Sequence, residues 1–311
     1  MKKANPTNSA NFCFLFLIYE SMNNKPLVSV IIPLFNKETV IRKTIDSVLS
    51  QTYHNFEIVV IDDGSTDHSV ETIRQYDDSR ISLYIKSNGG PSSARNYGTE
   101  KSTGNWILFL DADDTLLPNA LERLVSPIIS NETNVDLISG NYNIIRGPEV
   151  KKHHLSGYCG LIPRRKKMYW LFIGNCFPRT GVAIIRKDFL VKYPFPDNLR
   201  RFEDMSVMIQ WVKNGRVFII PDILFDYSRD TEDASKPAKD YNQDFIFHMN
   251  FAKASFWEKC LLGNLYESGL KSYPKQMTIL RGLYGKWDFY RYFGQLTLLG
   301  QLLIRRYIVR D

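Results

Sequence analysis

The chain has 311 residues, and 40 lysines and arginines against 33 aspartates and glutamates give it a formal charge of +7. Its 44% hydrophobic and 23% charged residues are those of a globular protein, which excludes disorder as the main state. No apolar run approaches the roughly 20 residues needed to cross a bilayer; the longest are 12–19 and the Gln-interrupted 293–304. Cys13, Cys159, Cys176 and Cys260 lie far apart with no C-x-x-C pair. Neither a zinc module nor a disulfide scaffold is encoded, and a reducing cytosol is expected. The charge is segregated into −5 over residues 1–150, +10 over 151–201, −4 over 202–270 and +6 over 271–311. A basic surface suits nucleic acid, anionic lipid or a phosphate-bearing substrate, and charge alone does not choose among them.

Residues 1–25 read as a weakly ordered extension. Met-Lys-Lys and an eight-residue apolar stretch resemble part of a signal peptide, but no small-residue cleavage site follows, and Met22 offers a second start. Strands and helices then alternate, the pattern of an α/β fold with a mostly parallel, Rossmann-like sheet flanked by helices. The β-branched run 28–33 predicts a strand, and Val40, Ile41, Ile45, Val48 and Leu49 recur at helical spacing after it. A second strand at 56–61 precedes a turn and a helix through Val70 and Ile73. A third strand at 81–85, a helix from 91 to about 101 and a fourth strand at 106–110 follow. Further on, 135–145 and 182–185 read as strands, the basic stretch between them as loop and helix, and 203–213 as a helix with Met205, Met208, Ile209 and Val212 inward. Beyond Tyr241 the pattern is helical and aromatic.

Ligands of open α/β sheets bind beyond the carboxyl ends of the strands. After the first strand comes Pro33-Leu-Phe-Asn36-Lys-Glu38, and after the second Asp62-Asp63-Gly-Ser-Thr-Asp67. After the third comes Asn88-Gly-Gly90-Pro-Ser-Ser-Ala94-Arg95-Asn96-Tyr-Gly98, and after the fourth Asp111-Ala112-Asp113-Asp114. Each alone has a plain structural reading, as a capped turn, a loop ended by proline, or a solvated loop. Together they describe a pocket. If the fourth strand continues, alternation puts Asp111 and Asp113 on one side and Asp114 on the other, so two carboxylates converge on Mg²⁺ or Mn²⁺. The helix beginning near Pro91 offers N–H groups and its dipole to a diphosphate, with Arg95 in its second turn. Asp62 or Asp63 can accept from a base N–H or a ribose hydroxyl.

The order P-x-x-N, D-D-G-S-x-D, N-x-G-x-x-x-A-R-N-x-G, D-A-D-D and a later E-D resembles the family 2 inverting glycosyltransferases of GT-A fold, over roughly residues 27–235. The resemblance implies a GT-A domain at 26–235, with a nucleotide-binding half at 26–115 and an acceptor half at 116–235. A helical, basic, aromatic C-terminal extension at 236–311 follows. It implies that Pro33, Phe35, Asn36, Glu38, Asp62 and Asp63 line the base and ribose, and that Asn88, Gly90, Arg95, Asn96 and Ala112 join the nucleotide-sugar site. Asp111 and Asp113 become the D-x-D pair, with Asp113 nearest the metal. The implied reaction transfers a sugar from a nucleotide donor, UDP favoured, to a saccharide or lipid-linked saccharide in cell-surface polysaccharide synthesis. A single displacement needs a base for the acceptor hydroxyl. Glu203-Asp204 opens a helix, whose dipole keeps a carboxylate ionised, and by resemblance Asp204 is that base. Related enzymes carry Tyr-Arg-x-His-x-x-Ser, where this chain reads Tyr227-Ser-Arg229-Asp-Thr231-Glu-Asp-Ala-Ser235. Thr231 replaces the histidine that can join the metal, and His54, His68, His153, His154 and His248 read as surface or loop residues.

The acceptor side carries no diagnostic motif. Arg164-Arg165-Lys166-Lys167 precedes Met168-Tyr-Trp-Leu-Phe172, and aromatic faces suit sugar rings and membrane interfaces alike. Tyr292, Leu296, Leu299, Leu303 and Tyr307 form an apolar stripe with Arg305, Arg306 and Arg310 near its end. Such a stripe within 271–311 lies on an anionic membrane, packs on the catalytic domain or forms a homodimer contact. The expected location is cytoplasmic, with peripheral contact at the inner face of the cell membrane. The competing reading is an inactive GT-A-like adaptor for membrane or polyanion. The carboxylates at 62, 63, 111, 113 and 204 argue against it and against nucleic acid. A sugar-phosphate nucleotidyltransferase would need a Gly-rich basic loop where Pro33-Leu-Phe-Asn36 stands.

Overall fold

The computed structural model describes residues 25–130, 134–153, 158–172, 179–229 and 241–293. In its first half β1 (Val28–Leu34), β2 (Phe56–Asp62), β3 (Ile81–Ile85) and β4 (Trp106–Phe109) pair in parallel in the order β3-β2-β1-β4. Strands β1, β2 and β4 are almost continuously apolar and buried because helices cover both faces. Between them run α1 (Ile41–Leu49), α2 (Ser69–Arg74) and α3 (Pro91–Lys101). The spacing of Ile41, Ile45 and Val48 gives α1 one apolar face, and that face is the buried one.

The second half is mixed, where the sequence suggested a mostly parallel sheet. It contains β5 (Thr115–Leu116), α4 (Ala120–Ile129), β6 (Leu137–Arg146), β7 (Glu149–His153), β8 (Gly160–Leu161) and α5 (Lys167–Phe172). There follow β9 (Ala183–Arg186), α6 (Lys187–Lys192), α7 (Glu203–Asn214) and β10 (Val217–Ser228). The sheet continues β4-β9-β6-β10-β5, with β9 antiparallel to both neighbours and β10 parallel to β6. A tight turn at Gly147, whose φ of +52° suits glycine, folds β7 back on β6 as a hairpin. Met205, expected inward on α7, is half-exposed, while Val207, Met208, Ile209, Trp211 and Val212 are buried.

Beyond residue 240, α8 (Phe256–Ser272) and α9 (Met277–Tyr284) join the main core. Cys260, Leu262, Tyr266 and Leu280 belong to the same apolar cluster as Ile31, Phe109 and Trp211. The Lys213–Glu258 ion pair, at 3.0 Å, ties the end of α7 to the start of α8. Lys167, last of the basic run, is buried and donates to the carbonyls of Lys213 and Gly215, satisfying acceptors left over at the end of α7. Among the described residues no helix is long and apolar enough to cross a membrane. Of the C-terminal stripe, Tyr292 is exposed, and Leu296, Leu299, Leu303, Tyr307 and the three arginines lie outside the described residues, as does Thr231.

Helix α3 lies on β1 and β2 through Gly98, where a side chain would run into Ile31 and Ile61. Gly98→Val should therefore lower stability by about 1–3 kcal/mol through overpacking. Urea unfolding measures this, and an unchanged midpoint would mean that α3 can lift off the sheet.

Candidate active site

The ends of β1, β2, β3 and β4 meet the start of α7 and the end of β10 around one cleft of about 850 Å³. Of the residues expected at the nucleotide, Pro33, Phe35, Asp63, Asn88, Gly90, Arg95, Asp111 and Ala112 line it. Asp113, Glu203 and Asp204 line it too. Asn36, Glu38, Asp62 and Asn96 do not; they hold loops together. The Asn36 side chain accepts from the Thr66 N–H at 2.8 Å and Glu38 from the His68 N–H at 2.8 Å, which clips the loop after β1 to the loop after β2. Asp62 accepts from the Ser65 N–H within its own turn. Asn96 faces away, donating to the Phe195 carbonyl and the Asp197 carboxylate and accepting from the Phe195 N–H.

Asp63 lines the cleft with both oxygens engaged. It accepts from the Gly89 N–H at 2.8 Å, the Gly90 N–H at 2.6 Å and Lys86 Nζ at 2.7 Å, so it shapes the loop leading into α3. Gly90 has φ +85°, and a side chain there would overlap the guanidinium of Arg200. No side chain caps the start of α3.

The fourth strand does not continue to the D-x-D pair. Asp111–Asp114 form a turn closed by the Asp114 N–H on the Asp111 carbonyl, and the turn brings both Asp111 and Asp113 to the cleft. Asp113 pairs with Lys37 at 2.7 Å. Asp111 pairs with Arg95 at 2.8 Å, and the other end of that guanidinium reaches Glu203 at 3.4 Å. Arg95 is 5% exposed, lies over the Phe195 ring at 5.1 Å and keeps its Nε without a partner. Asp114 is buried and accepts from the Ser228 N–H at 2.9 Å. Burial above all, and then the charge of Asp111, pushes its carboxyl well above the usual range. Asp204 accepts the Met205 N–H at Oδ1, 2.7 Å away.

Among the described residues no group of three or more His, Cys, Asp or Glu is placed to hold a metal. The two cleft aspartates still fit a hard cation, because Mg²⁺ is commonly held by one or two carboxylates and completed by phosphate oxygens and water. Lys37 already brings positive charge to Asp113.

Sequence reasoning missed Lys37, Arg179, Thr180, Arg200, Tyr227, Ser228 and Arg229 as cleft residues. Lys37 sits inside the first motif and Arg200 just before the E-D pair, so position was a signal for both. Arg179 belongs to no motif.

A parallel sheet edge whose carboxylate pair faces an acid-headed helix defines a candidate sugar-nucleotide transferase site. The Glycosyl transferase family 2 model matches residues 29–193, and the chain belongs to that family. It is similar to an uncharacterized glycosyltransferase of Haemophilus influenzae, 33% identical over 205 residues, covering 63% of this chain and 76% of that protein. It is also similar to the Escherichia coli UDP-Glc:alpha-D-GlcNAc-diphosphoundecaprenol beta-1,3-glucosyltransferase WfgD, 33% identical over 198 residues, 62% of this chain and 73% of that one. The GT-A fold is that of Staphylococcus aureus TarS 1–349 in complex with UDP-GlcNAc. The TM-score is 0.62 and the identity 20%, over 78% of this chain and 72% of that one.

Burial pushes the Glu203 carboxyl up to about 7, against the pull of Arg95 and with a further push from Asp204. The folded state thus holds this proton more tightly than the unfolded chain. The resulting stability is fully present below the ordinary value near 4.5 and is lost as pH rises to about 7. Glu203→Gln removes that loss, so its melting temperature relative to wild type should rise between pH 5 and pH 8. Parallel melting profiles at the two pH values would contradict this assignment.

Proposed function

We propose that this chain is an inverting glycosyltransferase that moves a sugar from a nucleotide-diphosphate sugar, UDP-linked in preference, to a saccharide or lipid-linked saccharide acceptor. One observation carries the reading: a single buried arginine joins the D-x-D turn to the E-D helix across one cleft. The names of the relatives support the substrate class. WfgD is named for a UDP-sugar donor and a diphosphoundecaprenol-linked acceptor, and TarS was crystallised with UDP-GlcNAc.

In this reading the donor diphosphate lies between the uncapped start of α3, Arg200 and the two aspartates. Asp111 and Asp113 would hold Mg²⁺ or Mn²⁺, which when bound offsets the charge that builds on the departing diphosphate. Asp204 takes the proton of the acceptor hydroxyl at Oδ2, while the Met205 N–H fixes Oδ1. The acceptor oxygen bonds to the anomeric carbon from the face opposite the diphosphate. The carbon–oxygen bond to the phosphate breaks, its electron pair leaves with the nucleoside diphosphate, and the configuration inverts. Glu203 acts through Arg95 as a positioning residue. A lipid-linked acceptor would bring the enzyme to the cytoplasmic face of a membrane.

Asp204→Asn keeps the shape and removes the base. Turnover of UDP-sugar should fall by roughly 10² to 10⁴ with UDP affinity nearly unchanged; full turnover in that variant would move the base to Glu203. Asp113→Ala should abolish the gain in UDP affinity on adding Mn²⁺. Calorimetry giving wild type equal UDP affinity in EDTA and in Mn²⁺ would remove the metal from the mechanism.

A further inference from the structure

Five acids line the cleft: Asp63, Asp111, Asp113, Glu203 and Asp204. Four of them are matched by Lys86, Arg95 and Lys37. Three cleft arginines, Arg179, Arg200 and Arg229, have no carboxylate within ion-pair distance among the described residues. Arg200 lies against Gly90 at the start of α3, on the donor side. Arg179 and Arg229 meet at the Tyr227 ring, near the end of β10.

Arg179 makes no ion pair among the described residues, although the charges of Asp204 and Asp114 act on it from farther away. Its guanidinium carbon is 4.3 Å from the centre of the Tyr227 ring and 5.3 Å from that of Tyr142, and Nη1 donates to Tyr142 Oη at 3.2 Å. Tyr142 is buried, and its ring meets Tyr227 edge to face at 6.5 Å. The backbone is pinned as well. The Thr180 hydroxyl reaches Asp111 at 3.4 Å, and the Gly181 N–H bonds the Phe109 carbonyl at the end of β4. Arg229 lies 5.5 Å from the same Tyr227 ring. Aromatic rings orient a guanidinium and strip part of its water without neutralising it, which leaves the fork preorganised for an oxyanion.

In the donor site proposed above, the diphosphate is met by the start of α3, Arg200 and the aspartate pair. Two further guanidiniums share one tyrosine at the end of β10, beside the half of the sheet built from β6, β9 and β10. We infer that Arg179, with Arg229 beside it, forms a subsite for an anionic group of the acceptor, a phosphate or a sugar carboxylate, that aligns the acceptor hydroxyl with Asp204. The inference rests on the donor and base assignments proposed above.

The test uses the full chain saturated with UDP and Mg²⁺, and titrates glucose 1-phosphate, glucuronate and methyl glucoside by ligand-detected NMR. Wild type should bind the charged probes and not methyl glucoside. A stronger response to glucose 1-phosphate than to glucuronate identifies phosphate as the group read, and the reverse identifies carboxylate. Arg179→Gln should weaken the preferred probe by about tenfold or more. Arg179→Lys, which keeps the charge and loses the stacked fork, should fall between the two and melt like wild type. UDP affinity should stay within about threefold in both variants, because the charged contacts that hold its diphosphate are left intact. Equal binding of charged and uncharged probes by wild type, or unchanged affinity in both variants, would overturn the subsite. So would a loss confined to UDP, which would assign Arg179 to the donor. No UDP binding by wild type would sink the donor reading on which the subsite rests.

Discussion

A guanidinium removed from water has to be paired, and Arg95 finds its partners on two parts of the chain that nothing local brings together. One is Asp111 just past β4, and the other is Glu203 at the first residue of α7. Removing Asp111, the closer partner at 2.8 Å, would leave a buried charge short of its main counterion, a loss of several kcal/mol for such pairs. The separation of the D-x-D turn from the E-D helix is therefore set by the span of one arginine side chain. The Phe195 ring below the guanidinium fixes the plane in which that span is measured.

Around this bridge, much of the motif chemistry is construction. Asn36 and Glu38 fasten one strand-end loop to the next, Asp62 closes its own turn, and Asp63 gathers two backbone N–H groups at the entry to α3. Asn96 staples α3 to the segment before α7. These contacts keep charged and dipolar groups in place before any ligand arrives, so little reorganisation is needed when charge develops.

The parallel half of the fold was legible because its strands are short apolar runs that end in polar, turn-forming residues, and ligand-facing loops follow those ends by rule. The mixed half was less so. Strands β5 and β8 are two residues long and present no alternation to read, and the β6–β7 hairpin is marked mainly by Gly147. Strand alternation placed Asp111 and Asp113 together for a reason the chain does not use, since a turn does that work. The +10 charge of residues 151–201 was visible, but composition cannot say that Lys167 turns inward to carbonyls while Arg179 turns to a tyrosine pair. Those orientations depend on partners far away in sequence.

The segment before α7 takes its conformation from a part of the chain that follows it. Arg200 and Arg201 donate their N–H groups to the Gln243 carbonyl, Phe245 donates back to Arg201, and buried Asp244 holds Tyr273 and Arg201. Phe202, next in line, sits at φ +55°, a left-handed conformation that a bulky residue adopts only when its neighbours are fixed. The helix that bears Glu203 and Asp204 thus begins from a pivot clamped by residues 241–247. In this chain the start of α7 and the stretch 243–245 therefore form one packed unit and not two independent modules. A chain grafted beyond residue 240 would lose the Gln243 carbonyl that holds the backbone of Arg200, the residue whose guanidinium lies against Gly90.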